Sequence, residues 1–226
     1  SQIESDPPER EIFSLDGMES YLINQQWVEA KLHDSNLSLA KLKAQGRWIV
    51  GELGEVIFNS LEQEIEQFIS KIVAKEAGDP LPPLAIDIVI GELRLTGTLA
   101  NLHSEGSLFY RYSPMKGKDF IIAWLHHLII NRIQPQSTHL VTQDDFISFL
   151  PVHIQGDELE RFMQYFLAGQ SQPDIFFTEA AFVYIKQQHS LNQPKSRSKV
   201  PALLKTQTAF SDALGKSYEP ELGLLY

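Results

Sequence analysis

The sequence predicts an α/β fold built on a mixed sheet, with helices on both sides and an α-rich C-terminal extension. Two features of its hydrophobic patterning point there. A helical period over residues 51–78 gives way to a period of two in three consecutive segments before residue 114, and the helical period returns after Gly117. The chain is also large enough for a sizeable core, with 226 residues of which 43% are hydrophobic.

The elements follow in order. Residues 1–14 are polar and proline-containing and read as an arm or linker. Asp16 with Glu19 three residues later forms a capping-box pattern at a first helix, whose loose apolar face is Met18, Leu22, Trp27 and Leu32. A short second helix, LSLAKLKAQG, stops at Gly46. In the third, Ile57, Leu61, Ile65, Phe68 and Ile72 recur at spacings of three and four and turn one stripe to a core. DPLPPL then breaks the helix. LAIDIVIGE, LRLTGTLANL and SLFYRYS predict a three-stranded antiparallel meander with Gly91 and Gly106 in its turns. Phe120, Trp124, Leu125, Leu128 and Ile129 restore the helix, THLVTQ and FISFLPV read as strands, and GDELERFMQYFLAG as a helix ending at Gly169. TEAAFVYIKQQH and VPALLKTQTAFSDAL complete the tail, joined by a polar LNQPKSRSK linker.

Composition excludes several classes of chemistry. With no cysteine there is no disulfide, thiolate nucleophile or Cys-ligated metal, which fits a reducing cytoplasm. The apolar run DFIIAWLHHLII is too short to span a bilayer, so no membrane partner is expected. A net charge of -10 disfavours generic polyanion binding, although six bases between Lys186 and Lys216 face only Asp212. No phosphate-binding GxxxxGK[ST], GxGxxG, GxSxG or HExxH occurs, and no cofactor or metal is expected. The start without Met and the apolar end ELGLLY suggest a fragment of something longer.

The stretch GTLANLHSEGSLFYRYSPMKGKD, residues 97–119, carries the chemical question. Helix, meander, helix is the core layout of PD-(D/E)XK nucleases, which need carboxylates to hold Mg²⁺ and a lysine to polarise water. The second strand should bear acid-x-Lys and instead reads Arg111, Tyr112, Ser113, a cation where the metal belongs. Asp87, Glu92 and Glu105 are the acids from which a relocated site would be built. His126 and His127 are neighbours on a helix, about 100° apart, and cannot share one ion, so both are expected at the surface or facing a partner. The run of Lys195, Arg197 and Lys199 suits phosphate contacts or a solvated linker, and Arg111, Lys116 and Lys118 are further DNA-contact candidates. Phe109, Tyr110 and Tyr112 have the density of a base-stacking platform, although alternation sends one pair to the core.

Taken together, SLDGMESYLINQQWVEAKL, LKAQGRWIVGELGEVIFNSLEQEIE, residues 97–130 and the tail from ALLKTQ resemble the C-terminal domain of the gamma chain, RecC, of exodeoxyribonuclease V. The likeness is carried by Leu15-Asp16-Gly17 with Tyr21 to Gln25, by Gly97 to Leu99, Glu105-Gly106, Tyr110 to Tyr112 with Pro114, and by Trp124 to Leu128. It runs over residues 15–226, with an α-rich tail from about 156. The resemblance implies a PD-(D/E)XK-like fold without catalytic residues, inside a complex whose RecB-like and RecD-like helicase subunits are its partners and through which it meets DNA. An active nuclease with relocated acids and a DNA-independent interaction module are the competing readings.

Overall fold

Asp16 opens the first helix, α1 (Gly17–Leu32): its Oδ1 accepts the Glu19 backbone N–H at 2.7 Å, satisfying one of the N–H groups that a helix start leaves unpaired. The structure, a computed structural model, describes residues 15–33, 35, 37–153, 157–171 and 178–191. The other half of the expected capping box is diverted, because the Glu19 carboxylate takes Arg47 Nε at 2.7 Å. The buried face of α1 is Ile23, Trp27 and Val28, whereas Met18 and Leu22, expected inside, are exposed. A stripe shared with Ile23 and Trp27 lies against the next helices, and Leu22 falls about 100° off it.

A short α2 (Leu39–Ala44) ends before Gly46, whose φ of +62° suits glycine. The expected stripe then forms α3 (Gly51–Val73), burying Ile65, Phe68 and Ile72 with Ile57 and Leu61 half-buried against the same core, and Phe58, outside the expected stripe, is buried as well. Trp27 and Trp48 close on Phe58 with ring centroids 4.3 and 5.6 Å away, and Trp48 Nε1 donates to the Gly54 carbonyl at 2.8 Å. Burying an aromatic or aliphatic side chain of this kind contributes roughly 1.5–3 kcal/mol, so this knot anchors α1 to α3.

The predicted meander divides into two sheets. Strands β1 (Leu84–Ile90) and β2 (Leu93–Leu99) form an antiparallel ribbon of their own around the two-residue turn Gly91-Glu92. The chain bends at Asn101, with φ at +59°, a left-handed conformation that asparagine tolerates better than most residues. Past the bend, β3 (Leu102–His103) and β4 (Gly106–Arg111) pair around the turn Ser104-Glu105, and Gly106, expected in the turn itself, opens β4 opposite His103. Helix α4 (Gly117–Ile133) crosses over to β5 (Thr138–Thr142), which lies parallel to β4, and β6 (Phe146–Phe149) returns antiparallel. Parallel pairing requires a long crossover, and α4 supplies it. The strand order is β3-β4-β5-β6.

Helices cover both faces of this mixed sheet. Leu108, Tyr112 and Val141 pack into the α1–α3 core, while Leu140 packs with Met115, Ala123 and Phe182 on the α4 side. Helix α5 (Asp157–Ser171) continues through Gly169 and places Leu159 and Phe162 against Ile90, Trp124 and Leu128, holding the ribbon to α4. Helix α6 (Thr178–Leu191) supplies Phe182. The predicted final helix, VPALLKTQTAFSDAL, lies outside the described residues.

Candidate functional site

Strand β4 passes between the two helical layers, so its alternation decides what every side chain of the suspect hairpin can do. Leu108, Tyr110 and Tyr112 share one face and Phe109 and Arg111 the other, and both faces are covered. The Tyr112 ring meets Phe68 edge-on at 5.2 Å, and its hydroxyl donates to Glu64 Oε2 at 3.1 Å. Tyr110 donates to Glu29 Oε1 at 3.0 Å. Burial, reinforced by the adjacent glutamate, pushes both phenols up to about 12. Phe109 packs edge-on against His126 at 4.9 Å. The base-stacking expectation is therefore corrected: all three rings are engaged inside the protein, because a strand with helices on both faces has no free side to offer.

Arg111 does not project as a free cation. Its Nη1 donates to both Asp119 oxygens, at 2.9 and 3.2 Å, with the two side chains only 22% and 10% exposed, and the guanidinium lies 5.5 Å from the Tyr21 ring centroid. Asp119 also accepts the Lys116 backbone N–H at 3.1 Å. It thus caps α4 and neutralises Arg111 at once, and it binds β4, α4 and α1 together through one guanidinium. Sequence reasoning missed Asp119; the available signal was an acid in the first turn of a helix, eight residues after an arginine on the preceding strand.

The start of α4 is where exposed N–H groups would otherwise attract an anion. Here carboxylates from the chain itself occupy it. Asp144 Oδ1 accepts the Met115 N–H at 2.8 Å and Glu179 Oε2, from α6, accepts that of Gly117 at 3.1 Å. Gly117 permits the approach: a Cβ there would sit 2.5 Å from the Thr178 carbonyl oxygen and 2.9 Å from Phe182 Cβ. Of the DNA-contact candidates, Lys116 is half-buried and Lys118 exposed in this first turn. Lys195, Arg197 and Lys199 lie outside the described residues.

The histidine expectation also changes. His127 is 3% exposed, with Nδ1 at 3.1 Å from both Thr138 Oγ1 and Asn131 Nδ2. Asn131 in turn donates to the Gln136 carbonyl and accepts from the Gln136 and Val152 N–H groups, so the network ties the end of α4 to the strands on either side. A covalent neighbour about 100° away, His126, faces Phe109 instead. Burial holds both imidazoles below their usual value. His139 is likewise depressed by burial, with Lys75 adding to the effect, and its Nδ1 meets Ser148 Oγ at 2.9 Å.

The acids named for a relocated site are dispersed. Asp87 forms a bidentate ion pair with Arg94 on the exposed face of the ribbon, and Glu92 and Glu105 are exposed in the two turns. Among the described residues no three His, Asp or Glu side chains gather in a way that would hold a cation.

Comparison with known proteins adds the family. The profile of the RecC C-terminal domain matches residues 1–189. The chain belongs to the RecC C-terminal domain family. It is 24% identical over 216 residues to the RecBCD enzyme subunit RecC of Escherichia coli (strain K12), an alignment covering 93% of this chain and 19% of that protein. The chain therefore spans about a fifth of the length of the curated relative it matches. Within this RecC C-terminal domain, no helix among the described residues is long and apolar enough to cross a membrane.

Proposed function

We propose that this chain is the non-catalytic C-terminal domain of a RecC-like subunit of a RecBCD-type helicase-nuclease, exodeoxyribonuclease V. In that complex it docks RecB-like and RecD-like helicase subunits and helps guide DNA strands during double-strand break repair by homologous recombination in the cytoplasm. The carrying observation is Arg111, held by Asp119, which stands with Ser113 where a PD-(D/E)XK hairpin would need an acid and a lysine. The order α3, hairpin, α4 and parallel β5 supports descent from such a nuclease core. A net charge of -10 favours protein docking over autonomous DNA binding, so Lys116, Lys118, Lys195, Arg197 and Lys199 would meet phosphates only in the assembled complex.

A tagged full-length subunit tests this directly. It is expected to recover RecB-like and RecD-like chains on purification, and the 226-residue chain is expected to leave linear DNA intact with Mg²⁺. Degradation that disappears in Asp87→Asn or Glu105→Gln would sink the non-catalytic reading. Recovery without any helicase subunit would favour a DNA-independent interaction module instead, the reading that the acidic balance alone suggests.

A further inference from the structure

The turn joining β5 to β6, Gln143 to Asp145, stands at the carboxyl end of the parallel pair β4–β5, the end at which open α/β sheets place their ligands. Elements far apart in sequence bring lysines to it. From α3, Lys71 Nζ donates to the Gln143 carbonyl at 3.0 Å, and just past that helix Lys75 Nζ lies 3.2 Å from the centroid of the Phe146 ring. From α6, Lys186 Nζ meets Asp145 Oδ2 at 2.8 Å. The bond from the Met115 N–H to Asp144 brings the start of α4, with Lys116 and Lys118, beside the same turn.

These cations keep capacity for an outside anion. Lys71 is exposed and spends one of its three donors on a carbonyl, which satisfies a hydrogen bond without cancelling the charge. Lys75 faces a ring, which also leaves its charge in place. Lys186 and Asp145 are 51% and 41% exposed, and a surface pair of this kind contributes at most about 1 kcal/mol, so an incoming phosphate can share the lysine. The acids of the turn are engaged by the protein itself. Asp144 accepts from the Met115 N–H and the Thr142 hydroxyl, and Asp145 accepts from the Phe146 N–H as well as from Lys186. Phe146 is 55% exposed beside Lys75. A cation next to an accessible ring is the combination that holds a phosphate and stacks a base.

We infer that the β5–β6 turn is a contact site for single-stranded DNA, with Lys71, Lys75 and Lys186 taking backbone phosphates and the Phe146 ring stacking on a base. This rests on the domain's proposed place in a helicase-nuclease and narrows its strand-guiding role to one surface. Every base has a π-face, so the contact is independent of sequence. The net charge of -10 repels a polyanion from most of the surface, which confines the contact to this turn and makes it weak at physiological salt.

Fluorescence anisotropy of a labelled oligothymidine strand with the 226-residue chain, at salt from about 20 to about 200 mM, tests the site. Binding is expected at about 20 mM and is expected to fall as salt rises. Lys71→Gln, Lys75→Gln and Lys186→Gln are each expected to weaken it about tenfold at about 20 mM and to lower the slope of log K against log salt by roughly 0.7. Phe146→Ala is expected to weaken binding about tenfold with the slope unchanged, because stacking releases no counterion. Lys41→Gln, on the exposed side of α2, removes the same charge elsewhere and is expected to leave the slope as it is. No binding at about 20 mM, unchanged slopes at the turn, or an equal change in Lys41→Gln would overturn the proposal. Recovery of helicase subunits by a tagged full-length subunit is scored separately on the triple lysine variant and is expected to be unchanged, so a failed strand contact leaves the docking reading standing. Loss of those subunits with strand binding intact would make the turn a protein-docking surface and overturn the proposal as well.

Discussion

Arg111 is the residue on which the chemical reading of the hairpin turns, and its environment makes it a tie between layers. Arg111→Ala removes two charge-assisted hydrogen bonds and leaves Asp119 largely buried with only its capping contact. The expected loss is about 2 kcal/mol, read as a lower urea midpoint with an unchanged slope. His127 makes a second prediction. Its folded-state pKa is depressed by burial below the 6.5 of the unfolded chain, so under acid the unfolded state binds the proton more readily. Stability is fully present above 6.5 and is lost as pH falls through the folded value. His126 and His139 shift in the same direction. Urea midpoints are therefore expected to drop between about pH 7.5 and about pH 5.5, and to drop less in His127→Gln.

Among elements, the junction of α4 with α6 is the most constrained. Gly117→Ala improves helix propensity by up to about 1 kcal/mol, yet its Cβ would overlap the Thr178 carbonyl and Phe182. Overpacking of that kind costs about 1–3 kcal/mol, and here the contacted atoms are backbone and a Cβ, which give little. A net loss is expected, together with faster proteolysis within α6; stabilisation would show that α6 is less firmly seated. What could be read beforehand divides along the same physical line. The α3 stripe, the turn at Gly91, a hairpin turn just ahead of Gly106 and the change of period at DPLPPL are local signals, and each appears in the fold. The split of the meander at Asn101, the burial of His127 and the occupation of the α4 start by Asp144 and Glu179 depend on partners 11 to 62 residues away, which no local pattern encodes.

For the whole molecule, charge sets the expectation. At a net -10, and with Arg111 neutralised internally, the 226-residue chain is expected to bind duplex DNA more weakly than about 100 µM at about 150 mM salt. Fluorescence anisotropy with a labelled duplex measures this, and tight, salt-sensitive binding would contradict a docking role. The bend at Asn101 has a different consequence, for how such a chain can change over evolutionary time. Because β2 and β4 belong to separate sheets, residues inserted or lost in the ribbon leave the pairing of β4 with β5 untouched. The ribbon is a part of this domain in which length can drift between relatives while the register of the central sheet stays fixed.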